Sequence, residues 1–360
     1  MPTAPATPAT HPSPSADHQL QFLRDFQRIL EQGSFSSTYK FALLHALADL
    51  AVRHGDGSGV PLTLTTRDIA QRIIELYWPQ AAPFPLTGSR PALVLRQNAG
   101  QGQAEILRHL DAAKRHHGPS LERLRRDLPG WGLLLGNVDA VVRKMPLWRL
   151  QTVGAELVDF LYENAGRGTT ITLRPRAAAC LTALHGILTA LVRDAWLRFV
   201  RRSNLAALDE AADLDAFLFG SPRASLERHR PLLQELQSNQ CFYCQRRLVT
   251  AADVDHFVPW ARYAVDLGHN FVLAHPACNR SKSEHLAAER HLAAWVARNH
   301  RYRDQLAASF DNAGVLHDLD ASLRVAAWAY DHVQHTRGQV WLAGGRFERL
   351  SPAWRSILVA

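Results

Sequence analysis

No stretch of this 360-residue sequence approaches the roughly 18–20 consecutive apolar residues of a membrane-spanning helix, so no membrane partner is expected. Cysteine is scarce, at four residues, too few for a disulfide-dense secreted scaffold. The first 17 residues contain no apolar core of the kind a secretory signal carries, so a cytoplasmic protein is expected. Lysine is scarcer than its charge class suggests: of 41 basic residues only Lys40, Lys114, Lys144 and Lys282 are lysine. The formal net charge of +8 therefore rests on arginine, which grips phosphate bidentately and stacks on bases, and a nucleic-acid partner is favoured. Apolar residues are not lacking. At 47% they allow packed cores, and the length suggests about two or three domains.

Periodicity gives the organisation. Residues 1–17, rich in Pro, Ala and Thr, are expected to be a disordered tail. Leu20, Phe22, Leu23, Phe26 and Leu30 predict a helix over 18–32. A second is expected after an N-cap among Ser36, Ser37 and Thr38, with Leu43, Leu44, Leu47, Leu50 and Val52 on it and Gly55 at its end. A third starts from Thr65 or Thr66 and is stopped by Pro79; Pro83, Pro85, Gly88 and Pro91 then mark 79–91 as a loop or joint. A turn and short strand are expected over 166–174. One long helix is expected over 180–204, with Leu181, Leu184, Leu188, Leu191, Ala195 and Phe199 on one face. Six arginines against one acid over 173–202 fit either a phosphate track or a solvated helix end. Near the C-terminus, Trp328, Tyr330 and Val333 share a helix, and residues 340–342 and 347–350 flank Gly344-Gly345 as a hairpin. The expected division is a tail (1–17), a helical targeting or nucleic-acid-binding region (18–232), a small finger (233–290), and C-terminal helices with a hairpin packing on the rest (291–360).

Three of the four cysteines fall in that finger. Cys241-x2-Cys244 and His275-x2-Cys278 form two knuckles separated by 30 residues. Together they make a Cys3His set, a closed tetrahedral site for structural Zn2+. Between them, residues 247–249 and 254–256 read as two strands of a hairpin. The second carries Asp255 and His256 on opposite faces. Asn279 follows the second knuckle and is expected to open a helix that returns over the hairpin. Asp255 and Asn279 offer oxygen ligands suited to Mg2+ or Mn2+, and His256 is placed to take a proton from water. Cys180 is left as a core residue.

Cys241/Cys244, Asp255-His256-x-x-Pro259, Asn270 and His275-x2-Cys278-Asn279-x-x-Lys282 together resemble the zinc-stapled HNH endonucleases of the His-Me finger (ββα-metal) superfamily. The likeness covers about 50 residues and departs in two places: His275 replaces a cysteine, and Asn279 stands where many members have histidine. It implies a mainly α, multi-domain α+β chain with one small ββα-metal finger. It implies His256 as general base, Asp255 and Asn279 as ligands of a catalytic Mg2+ or Mn2+, and Asn270 as the residue that orients His256 and its loop. Lys282 and Arg280 are then expected to meet substrate phosphate. His269 is expected to be a bystander and His285 a surface residue.

Ser37-Thr-Tyr-Lys-Phe-Ala-Leu-Leu, Leu76-Tyr-Trp and Met145-Pro-Leu-Trp-Arg-Leu-Gln151 are similar to segments upstream of HNH cores in bacterial restriction-like or defence-associated proteins. The expected activity is phosphodiester hydrolysis, in double-stranded DNA, in restriction or phage defence, with a protein partner or homodimer allowed. The rival readings are a non-catalytic zinc module that binds nucleic acid, and an RNA-directed or partner-activated nuclease.

Overall fold

A helix without a polar face must be wrapped on every side, and Tyr39–His54 is such a helix: every residue from Lys40 to Arg53 is buried. It organises the first of two compact units in the computed structural model, which describes residues 14–55, 60–85, 92–100, 102–163, 168–208, 213–220, 226–249 and 251–359. The tail up to residue 13, and Gly88 and Pro91 of the expected joint, lie outside these residues. The first unit comprises residues 1–115 and 132–219. Around its central helix pack Thr66–Tyr77, Ala177–Ala183 and His185–Ser203, and Ala16–Gln32 packs on the last two. An antiparallel strand pair, Leu62–Thr65 with Thr170–Leu173, closes one edge.

The caps explain where these helices begin. Thr65 accepts from the Asp68 amide while Asp68 reaches back to the Thr65 amide, a capping box. Thr38 is the N-cap residue of the central helix, one of the three expected, but its side chain makes no capping bond. Its hydroxyl pairs instead with Tyr77 Oη (2.6 Å) and donates to Gln97 Oε1 (2.9 Å). The expected single helix over 180–204 is two helices bent by 81° at Leu184. His185, first in the second helix, contacts Asp49 Oδ1 through Nε2 at 2.8 Å, anchoring the bend to the central helix. No single helix among the described residues is long and apolar enough to cross a membrane, although this bent pair passes by length and composition together.

Asp49 is the electrostatic centre of the unit. Its carboxylate accepts from Arg72 Nε (2.7 Å) and meets His45 Nδ1 (3.0 Å) as well as His185, all buried. Burial opposes its ionisation, but the Arg72 charge, helped by the two histidines, holds the carboxyl well below its ordinary range. Asp49→Asn should cost about 3 kcal/mol by taking from buried Arg72 one of its two carboxylate partners, the other being Glu75 at 3.1 Å, read as a lower urea midpoint. Because the folded carboxyl titrates lower than the unfolded one, its contribution is complete above about pH 4 and drains as pH falls towards the depressed folded value. The arginine-rich segment 173–202 is partly consumed in the same way. Arg174 pairs with Asp159, Arg198 pairs with Asp194, and Arg193 turns inward to His45 Nε2. Three of its six arginines are thus engaged within the protein.

The second unit comprises residues 116–131 and 220–360, so a piece of the expected N-terminal region belongs with the finger. Its core stacks Phe257 on Trp295 (4.9 Å between centroids, 7° between planes). The finger is ββα: strand Asp253–His256 pairs antiparallel with Phe271–Ala274, and helix Pro276–Lys282 follows. The expected partner 247–249 is not the pairing strand. Arg247 makes only an isolated bridge to Gln240, shaping the first knuckle. Helices Glu289–Arg301, Arg303–Ala313 and Leu319–His335 come next, then the expected hairpin, Gln339–Ala343 with Arg346–Arg349. Gly344 and Gly345 have φ of +46° and +54°, consecutive left-handed positions that a tight two-residue hairpin turn requires.

Candidate metal centres and active site

The first knuckle is hung on the sheet by its backbone, since Phe242 N donates to Leu273 O at 2.9 Å. The second knuckle sits at the start of helix Pro276–Lys282, where Pro276 at the first position needs no amide partner. The two bring Cys241, Cys244, His275 and Cys278 together, with their ligand atoms all within 4.8 Å of one another. Histidine geometry fits metal as well. His275 Nε2 faces Arg247 O at 3.2 Å and Nδ1 faces Cys244 Sγ at 3.3 Å, so a proton on Nε2 leaves Nδ1 as the ligand. The His275 amide donates to Cys241 Sγ (3.3 Å). Without a cation, burial and the neighbouring Cys241 and Cys244 push the Cys278 thiol up to about 12. Three thiolates in one pocket therefore call for a divalent ion, and the donor set is that of structural zinc.

On the other side of Tyr243 lies the oxygen-rich site. Asp255 and His256 are buried neighbours on strand Asp253–His256. Asp255 Oδ2 accepts from Tyr243 Oη (2.5 Å) and from Lys282 Nζ (3.0 Å). Asn279 comes back over the same strand, as expected, but from the middle of its helix, which begins at Pro276. Its Nδ2 donates to Asp253 Oδ2 at 3.1 Å. Asp253 and Asp255 share a strand face, so Asn279 lies against the face that carries both carboxylates. Asn279 Oδ1 and Asp255 Oδ1 take no hydrogen bond from the described residues, and such oxygens suit a hard divalent cation.

His256 is turned the other way. Its Nε2 meets Asp266 Oδ1 at 2.8 Å, and its ring packs against Trp260 and Phe271. Among the described residues Asn270 makes no hydrogen bond to the ring. It clamps the loop that follows, with Oδ1 accepting from Val258 N (2.7 Å), Nδ2 donating to Val258 O (2.9 Å), and its backbone carbonyl accepting from Phe257 N (2.8 Å). Arg298 braces this clamp from behind, donating to the carbonyls of His269 (2.7 Å) and Phe271 (2.6 Å) on either side of Asn270.

The reading of Lys282 as a phosphate contact is corrected. Its ammonium is completely enclosed, donating to His256 O (2.9 Å) and paired with Asp255. Arg280 is exposed on the finger helix. His269 is a bystander to the chemistry but not a surface one: its ring is buried, and burial pulls it down to about 4. His285 is half-buried against Phe347, and Cys180 is core.

Sequence reasoning missed Asp253, Tyr243, Asp266 and Arg298. The first was visible in the Asp-x-Asp-His spacing, which puts two carboxylates on one strand face. Tyr243 was hidden inside the C-x2-C, where only the thiols drew notice. Asp266 and Arg298 carry no local signal, because loop closure and tertiary packing bring them in.

Residues 241–288 match the HNH endonuclease family, and residues 19–125 match a domain family of unknown function (DUF8808). The chain thus carries an HNH-family, zinc-stapled ββα finger alongside a separate helical N-terminal region. It is also 32% identical over 175 residues to the spectinabilin polyketide synthase system protein NorC of Streptomyces orinoci. That match covers 46% of this chain and 7% of the relative's length. No solved structure matches.

Proposed function

We propose that the chain is a metal-dependent endonuclease that hydrolyses phosphodiester bonds in double-stranded DNA. The observation that carries this reading is the pairing of His256 with Asp266 beside a carboxylate, Asp255, that keeps one oxygen unengaged. A proton on Nε2 shared with Asp266 leaves His256 Nδ1 as the basic nitrogen, so the ring can take a proton from an attacking water. Asn270 keeps the loop after His256 from swinging, and Asp266 keeps the ring from rotating. Asp255 and Asn279 would hold Mg2+ or Mn2+, which supplies Lewis-acid stabilisation of the phosphoryl and leaving oxygens. The test is a plasmid nicking assay with each ion, run beside single-stranded DNA and structured RNA. Cleavage confined to RNA would overturn the DNA assignment, and no cleavage of any of the three would overturn the enzyme assignment.

Arg246, Arg247 and Arg290 line one groove of about 1090 Å³ between the first knuckle and the C-terminal hairpin, with no carboxylate among its lining residues. The groove also takes in Cys244, His275 and Cys278 of the zinc set, and its arginines are the proposed contacts to the phosphate backbone. Arg246→Ala/Arg247→Ala should weaken DNA binding and lower the salt slope of the binding constant by about 2, one ion per lost phosphate contact, measured by fluorescence anisotropy across a salt series. Restriction or phage defence is the proposed setting, supported by the likeness of the N-terminal segments. Plating efficiency of phage on cells carrying wild type or His256→Ala tests it.

A further inference from the structure

We propose that Lys282 is the built-in counter-charge of Asp255, which holds the site together in the metal-free protein and against which the divalent ion must bind. This rests on the reading of Asp255 as a metal ligand and adds how that ligand is regulated. The sequence points Lys282 at substrate, but the structure gives it no route there. Its ammonium has no exposed surface, lies 3.0 Å from Asp255 Oδ2 and 2.9 Å from His256 O, and faces the Tyr243 ring at 5.9 Å from the centroid. Every one of these neighbours belongs to the knuckle or to the catalytic strand.

A buried lysine is tolerated only when its charge is matched, and Asp255 is its ion-pair partner. The converse holds for Asp255, a buried carboxylate that needs a cation whether or not a metal is there. Two donors, Tyr243 Oη and Lys282 Nζ, converge on the same oxygen, Oδ2, and leave Oδ1 without a protein partner among the described residues. The carboxylate is therefore held in one orientation and offers one oxygen. A dication taken up on Oδ1 comes within a few ångströms of the Lys282 charge, and their repulsion lowers the affinity. Lys282 is thus a positioning residue: it acts through Asp255 and touches no reacting atom.

The experiment uses the full-length, zinc-loaded protein and titrates Mn2+ alone, with free Mn2+ counted by electron paramagnetic resonance. Lys282→Gln keeps a side chain that can hydrogen-bond but removes the charge; Lys282→Met removes both. Either neutral variant is expected to bind Mn2+ on the order of tenfold more tightly than wild type, and to gain more in melting temperature on Mn2+ addition. Asp255→Asn is expected to lose the site. A folded neutral variant with wild-type or weaker Mn2+ affinity overturns the proposal while leaving the nuclease reading intact. Wild-type Mn2+ binding by Asp255→Asn overturns both. If both neutral variants unfold, recovery of the fold on adding Mn2+ supports the proposal, since one cation then replaces another, and unfolding that Mn2+ does not reverse overturns it.

Discussion

His256→Ala should lower the rate of phosphodiester cleavage by about 10³–10⁴-fold while zinc content and far-ultraviolet dichroism stay at wild-type values. The loss is large because no other described group is poised to replace the ring. Lys282 carries no lone pair when charged, and Asp266, on the far side of the imidazole, reaches the site only through it. The fold should survive because the backbone here does not depend on the ring. The strand pairs Asp255 with Val272 and His256 with Phe271 through the main chain, and the following loop is fastened by Asn270 to Val258. Some stability is still lost, because the imidazole fills space between Trp260 and Phe271. Asp266→Ala should act in the same direction but less, since it frees the ring rather than removing it, and its loss should fall on kcat rather than KM. Wild-type rates from His256→Ala would remove the general base from the scheme and, with it, the reason to read Asp266 as its anchor.

The Cys3His knuckles were legible because they are local. A C-x2-C and an H-x2-C are each one turn long, and Asp255-His256 is a dipeptide, so residue type and spacing already fix which atoms can meet a metal. What closes over longer stretches of chain was not legible. Strand Asp253–His256 could have paired with 247–249 nearby or with 271–274 beyond a 14-residue loop, and alternation alone suits both. The structure chooses the latter because Phe271–Ala274 is buried along its whole length, leaving no exposed face to waste. The break at Leu184 escaped for a similar reason. The apolar face over 181–199 runs in helical register, and the chain turns where His185 is anchored to Asp49, 136 residues away. Lys282 shows the limit most sharply: one turn beyond Asn279 is the right place for a phosphate contact and equally the right place to face strand Asp253–His256, and sequence cannot say which side of the helix is covered.

Removing zinc should have the other large effect. Apparent binding free energies of structural zinc sites, about 10–16 kcal/mol near pH 7, exceed the stability that a core of this size can supply. Cys241→Ser, or prolonged chelation, should therefore unfold the finger rather than loosen it, seen as release of one zinc per chain to a chromogenic chelator and a lower melting temperature. The route of failure can be followed. The knuckle is tied to the sheet by Phe242 N to Leu273 O, and Tyr243, inside the knuckle, holds Asp255 Oδ2. Losing the thiolate cluster withdraws Tyr243, leaves Asp255 with Lys282 alone, and frees the start of helix Pro276–Lys282, which carries Asn279. Cleavage should then vanish and not return on adding Mg2+ or Mn2+, although no zinc ligand touches the reacting phosphate. Activity restored by Mg2+ in a zinc-free protein would mean that the surrounding core, Phe257 against Trp295 and Trp341 against Tyr243, holds the site unaided. The four metal-binding side chains would then have to be read as something other than a staple.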